Sequence, residues 1–189
     1  MSEGRCPWAD SSPAMRDYHD KEWGVPSHDD RYLFEMLILE GAQAGLSWAT
    51  ILHRRAGYRR AFANFDPKQV AAFTDRRLEE LREDPGIIRN RLKIYGTRTN
   101  AQAFSRVQFE FGSFETYLWN WVRGVPVVHH PRTVADLHAT TELSDRISQD
   151  LKRRGFTFVG STIVYSLLQA AGVVDDHLTT CLLKRPHKE

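Results

Sequence analysis

At 189 residues, with 41% hydrophobic and 26% charged side chains, the chain has the composition of one globular domain, long enough to bury roughly two thirds of its unfolded surface without disulfides. No apolar run approaches the roughly 18 residues of a membrane span. The opening residues lack a basic segment followed by an apolar stretch, so a soluble, cytoplasmic protein with a single domain over 1–189 is expected. A formal net charge of +2 does not by itself demand a nucleic-acid partner. On charge alone, the clusters Arg54, Arg55, Arg59, Arg60 and Arg89, Arg91, Lys93, Arg98 read as solvated helix faces.

Apolar residues recur at helical spacing along most of the chain, and the expected fold class is all-α. Asp29 and Asp30 are placed to cap a helix that turns Leu33, Phe34, Leu37 and Ile38 to one face, with Gly41 and Gly45 as its interruptions. Ser47 restarts the chain ahead of Trp48, Ile51, Leu52 and Tyr58. Asp66-Pro67 reads as a cap and first helical position, Thr74 caps the next helix with Leu78 and Leu81, and Pro85-Gly86 stops it. A further helix takes in Ile87, Ile88, Ile94 and Tyr95, and another begins near Ser113. Residues 123–140 read as a loop. Ser144 to Arg154 and Gly160 to Ala171 are helices ended by Gly155 and Gly172, with Phe156 to Val159 as a short extended piece.

The chain has two cysteines, and without an export signal these point to metal binding or burial rather than a disulfide. Two thiolates and two imidazoles complete the tetrahedral shell of a structural zinc ion. His177 and Cys181 stand at i and i+4, one face if that stretch is helical. Cys6 and His19 are separated by a segment holding Pro7, Pro13 and two serines, which a loop could fold back. Spacing alone leaves open the plainer reading, in which each cysteine is a small buried hydrophobe and each histidine an unremarkable core or surface residue.

Longer segments add a resemblance. Cys6-Pro7-Trp8 followed by Tyr18-His19-Asp20-Lys21-Glu22-Trp23-Gly24-Val25-Pro26 resembles the start of a 3-methyladenine DNA glycosylase I. Leu39-Glu40-Gly41-Ala42-Gln43-Ala44-Gly45-Leu46-Ser47-Trp48 and Gly86-Ile87-Ile88-Arg89-Asn90-Arg91 are similar to that family's pocket loop and hairpin segment, in the same order. Arg154-Gly155-Phe156, Phe158-Val159-Gly160-Ser161-Thr162, Tyr165-Ser166, Gln169-Ala170 and Asp176-His177 resemble its C-terminal block. The match covers nearly the whole chain.

The resemblance implies a helical fold of the helix-hairpin-helix glycosylase superfamily, with the hairpin at about 78–95 and one structural zinc joining the two ends through Cys6, His19, His177 and Cys181. It implies double-stranded DNA with alkylated bases as partner, hydrolysis of the N-glycosidic bond of 3-methyladenine, and an abasic site as product. Such an enzyme must extrude the nucleotide and hold its base by stacking and hydrogen bonds. Glu40 matches the family's base-recognition carboxylate and is the expected catalytic and binding acid. Trp48, Tyr18 and Trp8 are the expected stacking residues, with Trp23 structural. An alkylated adenine is cationic, so a carboxylate beside it discriminates lesion from normal base.

For DNA, the resemblance points to Gly45 and Leu46 as a small apolar wedge at the gap left by the base. The turn containing Gly86, Ile87 and Ile88 is expected to offer backbone N–H groups to a phosphate, with Arg89 and Arg91 beside it. The hairpin is not followed by the Lys or Asp that other helix-hairpin-helix glycosylases use, which implies a monofunctional hydrolase, acting as a monomer without a membrane or protein partner. Met15 departs from the aromatic residue that family members can carry three residues before Tyr18, which leaves a relative specialised for another alkylated purine as the alternative. A non-cleaving lesion-binding module is a second alternative, and a metal hydrolase, disfavoured by the full ligand set, a third.

Overall fold

A computed structural model describes residues 4–184. Its helices begin where short polar side chains satisfy the first-turn amides that have no helical acceptor. Ser12 caps α1 (Pro13–Lys21), Asp29 caps α2 (Asp30–Gln43) and Ser47 caps α3 (Trp48–Ala61). Asp66 and Thr74 cap α4 (Pro67–Ala71) and α5 (Asp75–Leu81), and Asn90 caps the long α6 (Arg91–Phe111). Ser113 and Thr141 do the same for α7 (Phe114–Asn120) and α8 (Glu142–Arg153), while α9 (Ser161–Ala170) starts after Gly160 without a side-chain cap. The helical fold class is as expected, and no helix among the described residues is long and apolar enough to cross a membrane.

The core is built around α2, whose residues from Leu33 to Ala42 are all buried. A helix apolar on every side must be surrounded, and α2 packs against α3, α6, α7 and α9. Gly41 does not interrupt it. A methyl group there would lie 3.2 Å from the Cβ of Phe158, so the glycine lets the 156–160 segment close onto the helix. The C-terminal end of α2 delivers Glu40 and Gln43 to the cavity described below.

Several local expectations are overturned. Ile87 and Ile88 precede α6 rather than belonging to it, because the cap falls at Asn90. Phe156 to Val159 is not a strand; Phe158 takes φ +55°, which breaks an extended run. The strands lie elsewhere, as a two-residue parallel pair between β1 (Val127–Val128) and β2 (Val174–Asp175). β1 falls inside the stretch expected to be loop, and it anchors the chain just before His177.

The segment from Cys6 to His19 is not a folded-back loop: a 3-10 turn over Pro7–Ser11 leads into α1, which carries His19. His177 and Cys181 do not share a helix. The amide of Leu178 points to the Sγ of Cys6 at 3.5 Å and that of Thr179 to the carbonyl of Pro131 at 2.9 Å, bonds across the molecule that a helix through these residues would not make. The first arginine cluster is only in part a solvated face: Arg59 and Arg60 are exposed, and Arg55 is not. Arg55, with 12% side-chain exposure, bridges Glu22 at 2.7 Å and Glu35 at 2.8 Å, and Arg59 also reaches Glu35 at 2.7 Å; together they lock α3 onto α2.

Candidate active site and metal centre

Between α1, the end of α2, the start of α3 and α9 lies a cavity of about 220 Å³ lined by Trp8, Met15, Tyr18, Trp23, Glu40, Gln43, Trp48, Leu137, Ser166 and Gln169. Its wall is aromatic: Tyr18 lies 5.3 Å from Trp48 and 6.4 Å from Trp8, centroid to centroid. Glu40 is 4% exposed, and no hydrogen bond or ion pair reaches its carboxyl from the described residues. Burial raises its pKa to about 8. An acid buried without a protein partner beside a cavity costs stability, which makes it a candidate for binding a ligand. Burial and the neighbouring Glu40 carboxyl likewise push the Tyr18 phenol up. Trp48 Nε1 is buried without an acceptor, a second polar atom in want of a partner.

The cavity gathers all four residues expected to bind the base, together with Met15. Trp23, expected to be structural, is buried and also lines the wall. Gln43, Leu137, Ser166 and Gln169 were missed by sequence reasoning. Gln43 follows Glu40 by three residues on α2 and was inferable from helical spacing; Leu137 comes from an irregular segment with no such signal. Gln169 is held by Asp176, whose Oδ2 accepts from Gln169 Nε2 at 2.6 Å and from the Tyr165 hydroxyl, while its Oδ1 pairs with His129 Nδ1 at 2.7 Å. Burial alone would raise Asp176; these hydrogen bonds bring it below the ordinary value.

Directly behind the aromatic wall, Cys6, Cys181 and His19 bring one ligand atom each within 4.8 Å of one another, all buried. His177 falls outside that mutual spacing but its ring lies 5.1 Å from that of His19. Both imidazoles are oriented by carboxylates: His19 Nδ1 meets Asp20 and His177 Nδ1 meets Asp175, each at 2.8 Å. Such bonds place the proton on Nδ1 and leave Nε2 as the donor atom for a metal. His177 Nε2 is indeed buried with no partner. Burial lowers His19, keeping the ring neutral, and raises the Cys6 thiol to about 12. Two thiols and the His19 imidazole, with the oriented His177 ring beside them, are a donor set suited to a thiophilic cation. The centre supports the cavity, since Trp23 packs 4.6 Å from His177 and Trp8 lies 5.1 Å from His19.

Just beyond the C-terminal end of α2, Gly45 adopts φ +80° and Leu46 is 41% exposed, so the tip proposed as a wedge lies at the surface. The expectation for the hairpin turn is corrected. Gly86 N–H donates to Asp84 Oδ1 at 2.7 Å, Ile87 N–H faces Asp84 O at 3.5 Å, and Ile88 N–H donates to the Tyr58 hydroxyl at 3.2 Å. These amides are used inside the protein. The close approach here depends on Gly57, for a methyl group on it would lie 2.1 Å from the Gly86 carbonyl oxygen. Arg89 and Arg91 are exposed, Arg91 lying 3.5 Å from Glu79.

A helical domain that holds a buried, unpartnered acid against indole and phenol rings has the features of a pocket for a flat, electron-poor heterocycle. The profile of the methyladenine glycosylase family matches residues 8–185, and the chain belongs to that family. It is 45% identical over 177 residues to DNA-3-methyladenine glycosylase 1 of Escherichia coli K12, covering 94% of this chain and 95% of the relative. A crystal structure of 3-methyladenine DNA glycosylase I superposes with TM-score 0.93 at 44% identity, over 96% of this chain and all of that one. A tyrosine-to-phenylalanine variant of a 3-methyladenine DNA glycosylase I, solved in complex with 3-methyladenine, superposes over the full length of both chains with TM-score 0.94 at 36% identity.

Proposed function

We infer that this chain is a DNA glycosylase that hydrolyses the N-glycosidic bond of 3-methyladenine in alkylated DNA, releasing the free base and leaving an abasic site. The observation that carries this reading is Glu40, buried without a protein partner in an aromatic cavity of about 220 Å³. A neutral purine gives such an acid no reason to ionise. A purine made cationic by alkylation draws it from its pKa of about 8 towards the carboxylate, so the ion pair forms with the lesion and not with the normal base. Trp48, Tyr18 and Trp8 supply stacking faces, and Met15 and Trp23 close the wall.

The cationic base is already a good leaving group, so positioning and charge complementarity carry the reaction and no covalent intermediate is required. Lys93, the lysine within the hairpin segment, does not line the cavity, which supports a hydrolase without strand cleavage. Cys6, His19, His177 and Cys181 would hold one zinc ion, whose contribution is to tie the chain ends and brace Trp8 and Trp23, not to activate water. The unit formed by α5, its turn and α6 serves as the helix-hairpin-helix element, gripping a phosphate through Arg89, Arg91 and the first-turn amides of α6. Gly45 and Leu46 fill the gap in the stack, and the protein acts on DNA as a monomer. The deciding experiment incubates the protein with methylated duplex DNA and resolves released bases by chromatography. Release of 3-methyladenine with intact strands is expected; intact binding with no released base would leave only a lesion-binding protein.

A further inference from the structure

The loop after α2 is tied to the rest of the molecule in an unusual way. Ala44 to Leu46 makes backbone bonds only back to its own helix, through Ala44 N–H to Gly41 O at 3.4 Å and Leu46 N–H to Gln43 O at 2.6 Å. Among the described residues, one side chain from another element hydrogen-bonds its backbone. Lys93, in the first turn of α6, donates from Nζ to Ala42 O at 2.8 Å and to Ala44 O at 2.7 Å. Those carbonyls lie at the helix C-terminus, where the last acceptors lack helical donors and the dipole favours a cation.

The position of Lys93 gives this cap a second meaning. It follows the exposed Arg89-Asn90-Arg91 run directly, so its backbone moves with the segment that grips the phosphate. Its ammonium, at the far end of a flexible stem, fixes the projecting Leu46 loop and the end of the helix that carries Glu40 and Gln43 into the cavity. One side chain therefore joins backbone grip, wedge and base pocket. A lysine that only capped a helix would serve equally well at any exposed C-terminus; here the cap comes from the hairpin.

We propose that Lys93 is a positioning residue that sets the Leu46 loop against the hairpin, so that engagement of the DNA backbone is coupled to extrusion of the damaged base. This rests on reading Leu46 as the wedge and the hairpin as the DNA grip. Lys93 touches neither the cavity nor the reacting atoms, and its effect passes through the carbonyls of Ala42 and Ala44.

The test compares the full-length protein with Lys93→Met, which keeps the apolar stem, and Lys93→Arg, which keeps the charge. In the free protein, amide exchange across Ala44 to Ser47 is expected to accelerate in Lys93→Met by about ten-fold or more, the scale of losing hydrogen bonds to a charged group. Single-turnover excision of 3-methyladenine from duplex DNA is expected to slow by about ten-fold, while affinity for free 3-methyladenine, read by tryptophan fluorescence, stays near wild type; Lys93→Arg recovers part of the rate. Unchanged loop exchange would overturn the proposal, as would free-base affinity falling in step with excision, because the lysine would then merely shape the pocket. Failure of the parent reading appears separately, as a wild-type protein that releases no base, and the exchange measurement still decides whether the clamp exists.

Discussion

The two ends of the molecule are built on opposite terms. At the Cys/His end, Cys6, His19, His177 and Cys181 are each no more than 5% exposed and are packed against Trp8 and Trp23. At the hairpin end, Arg89 and Arg91 are exposed, Leu46 is 41% and Leu92 69% exposed, and the working surface is the outside of a turn. At the Cys/His end the candidate role follows from residue type and burial together, because thiols and imidazoles gathered in one interior cluster are the donor set of a zinc site. On the surface the role of a residue depends on which backbone groups and charges remain free, and that is decided by contacts far along the chain.

Removing the proposed zinc ion should give the largest effect and break the comparison cleanly if it is wrong. Chelation or Cys6→Ser is expected to cost about 5 kcal/mol, the scale of releasing a link between residues so far apart. Hydrogen exchange should then loosen the segments around Cys6 and Cys181 while α5 and α6 keep their protection. Equal loosening at both ends would mean that the two regions are not separately built.

Glu40 gives the next effect, through its own pKa. Its folded value of about 8 lies above the ordinary 4.5, so between those values the folded state holds a proton that the unfolded chain has released. Stability from this group is present in full below pH 4.5 and is lost as pH rises through about 8. Glu40→Gln removes that slope: the variant should match wild type at pH 4 and exceed it by on the order of a few kcal/mol at pH 9. Denaturant melts across the range check this. Smaller still, Arg89→Ala and Arg91→Ala should each weaken binding to damaged and undamaged duplex alike and reduce the salt slope by about 1, with free 3-methyladenine binding as tightly as before.

How much was legible follows the same division. Helix starts were readable because Asp29, Ser47, Asp66, Thr74 and Ser113 carry side chains that cap almost regardless of context. Glu40, Trp8, Tyr18 and Trp48 were found through the resemblance and do converge. The geometry of the Cys/His segments was not readable: His177 and Cys181 are brought round by β2 and by bonds to Pro131 and Cys6, contacts with no local trace. The hairpin amides were misread for a related reason. Whether Gly86 and Ile88 offer their N–H groups outward depends on Asp84 and on Tyr58, and the latter approaches only because Gly57 lets α3 touch the turn. Leu137 reaches the cavity from a stretch without periodicity.

The central claim is that a dry carboxyl, waiting in an aromatic cavity, recognises and helps release a cationic base. Single-turnover excision of 3-methyladenine from methylated duplex DNA by Glu40→Gln, measured beside wild type with folding verified, tests it most directly. A loss of about a hundred-fold, the scale of removing one positioned group that stabilises charge in the transition state, is the predicted result. A Glu40→Gln protein that is folded and excises at the wild-type rate would contradict it.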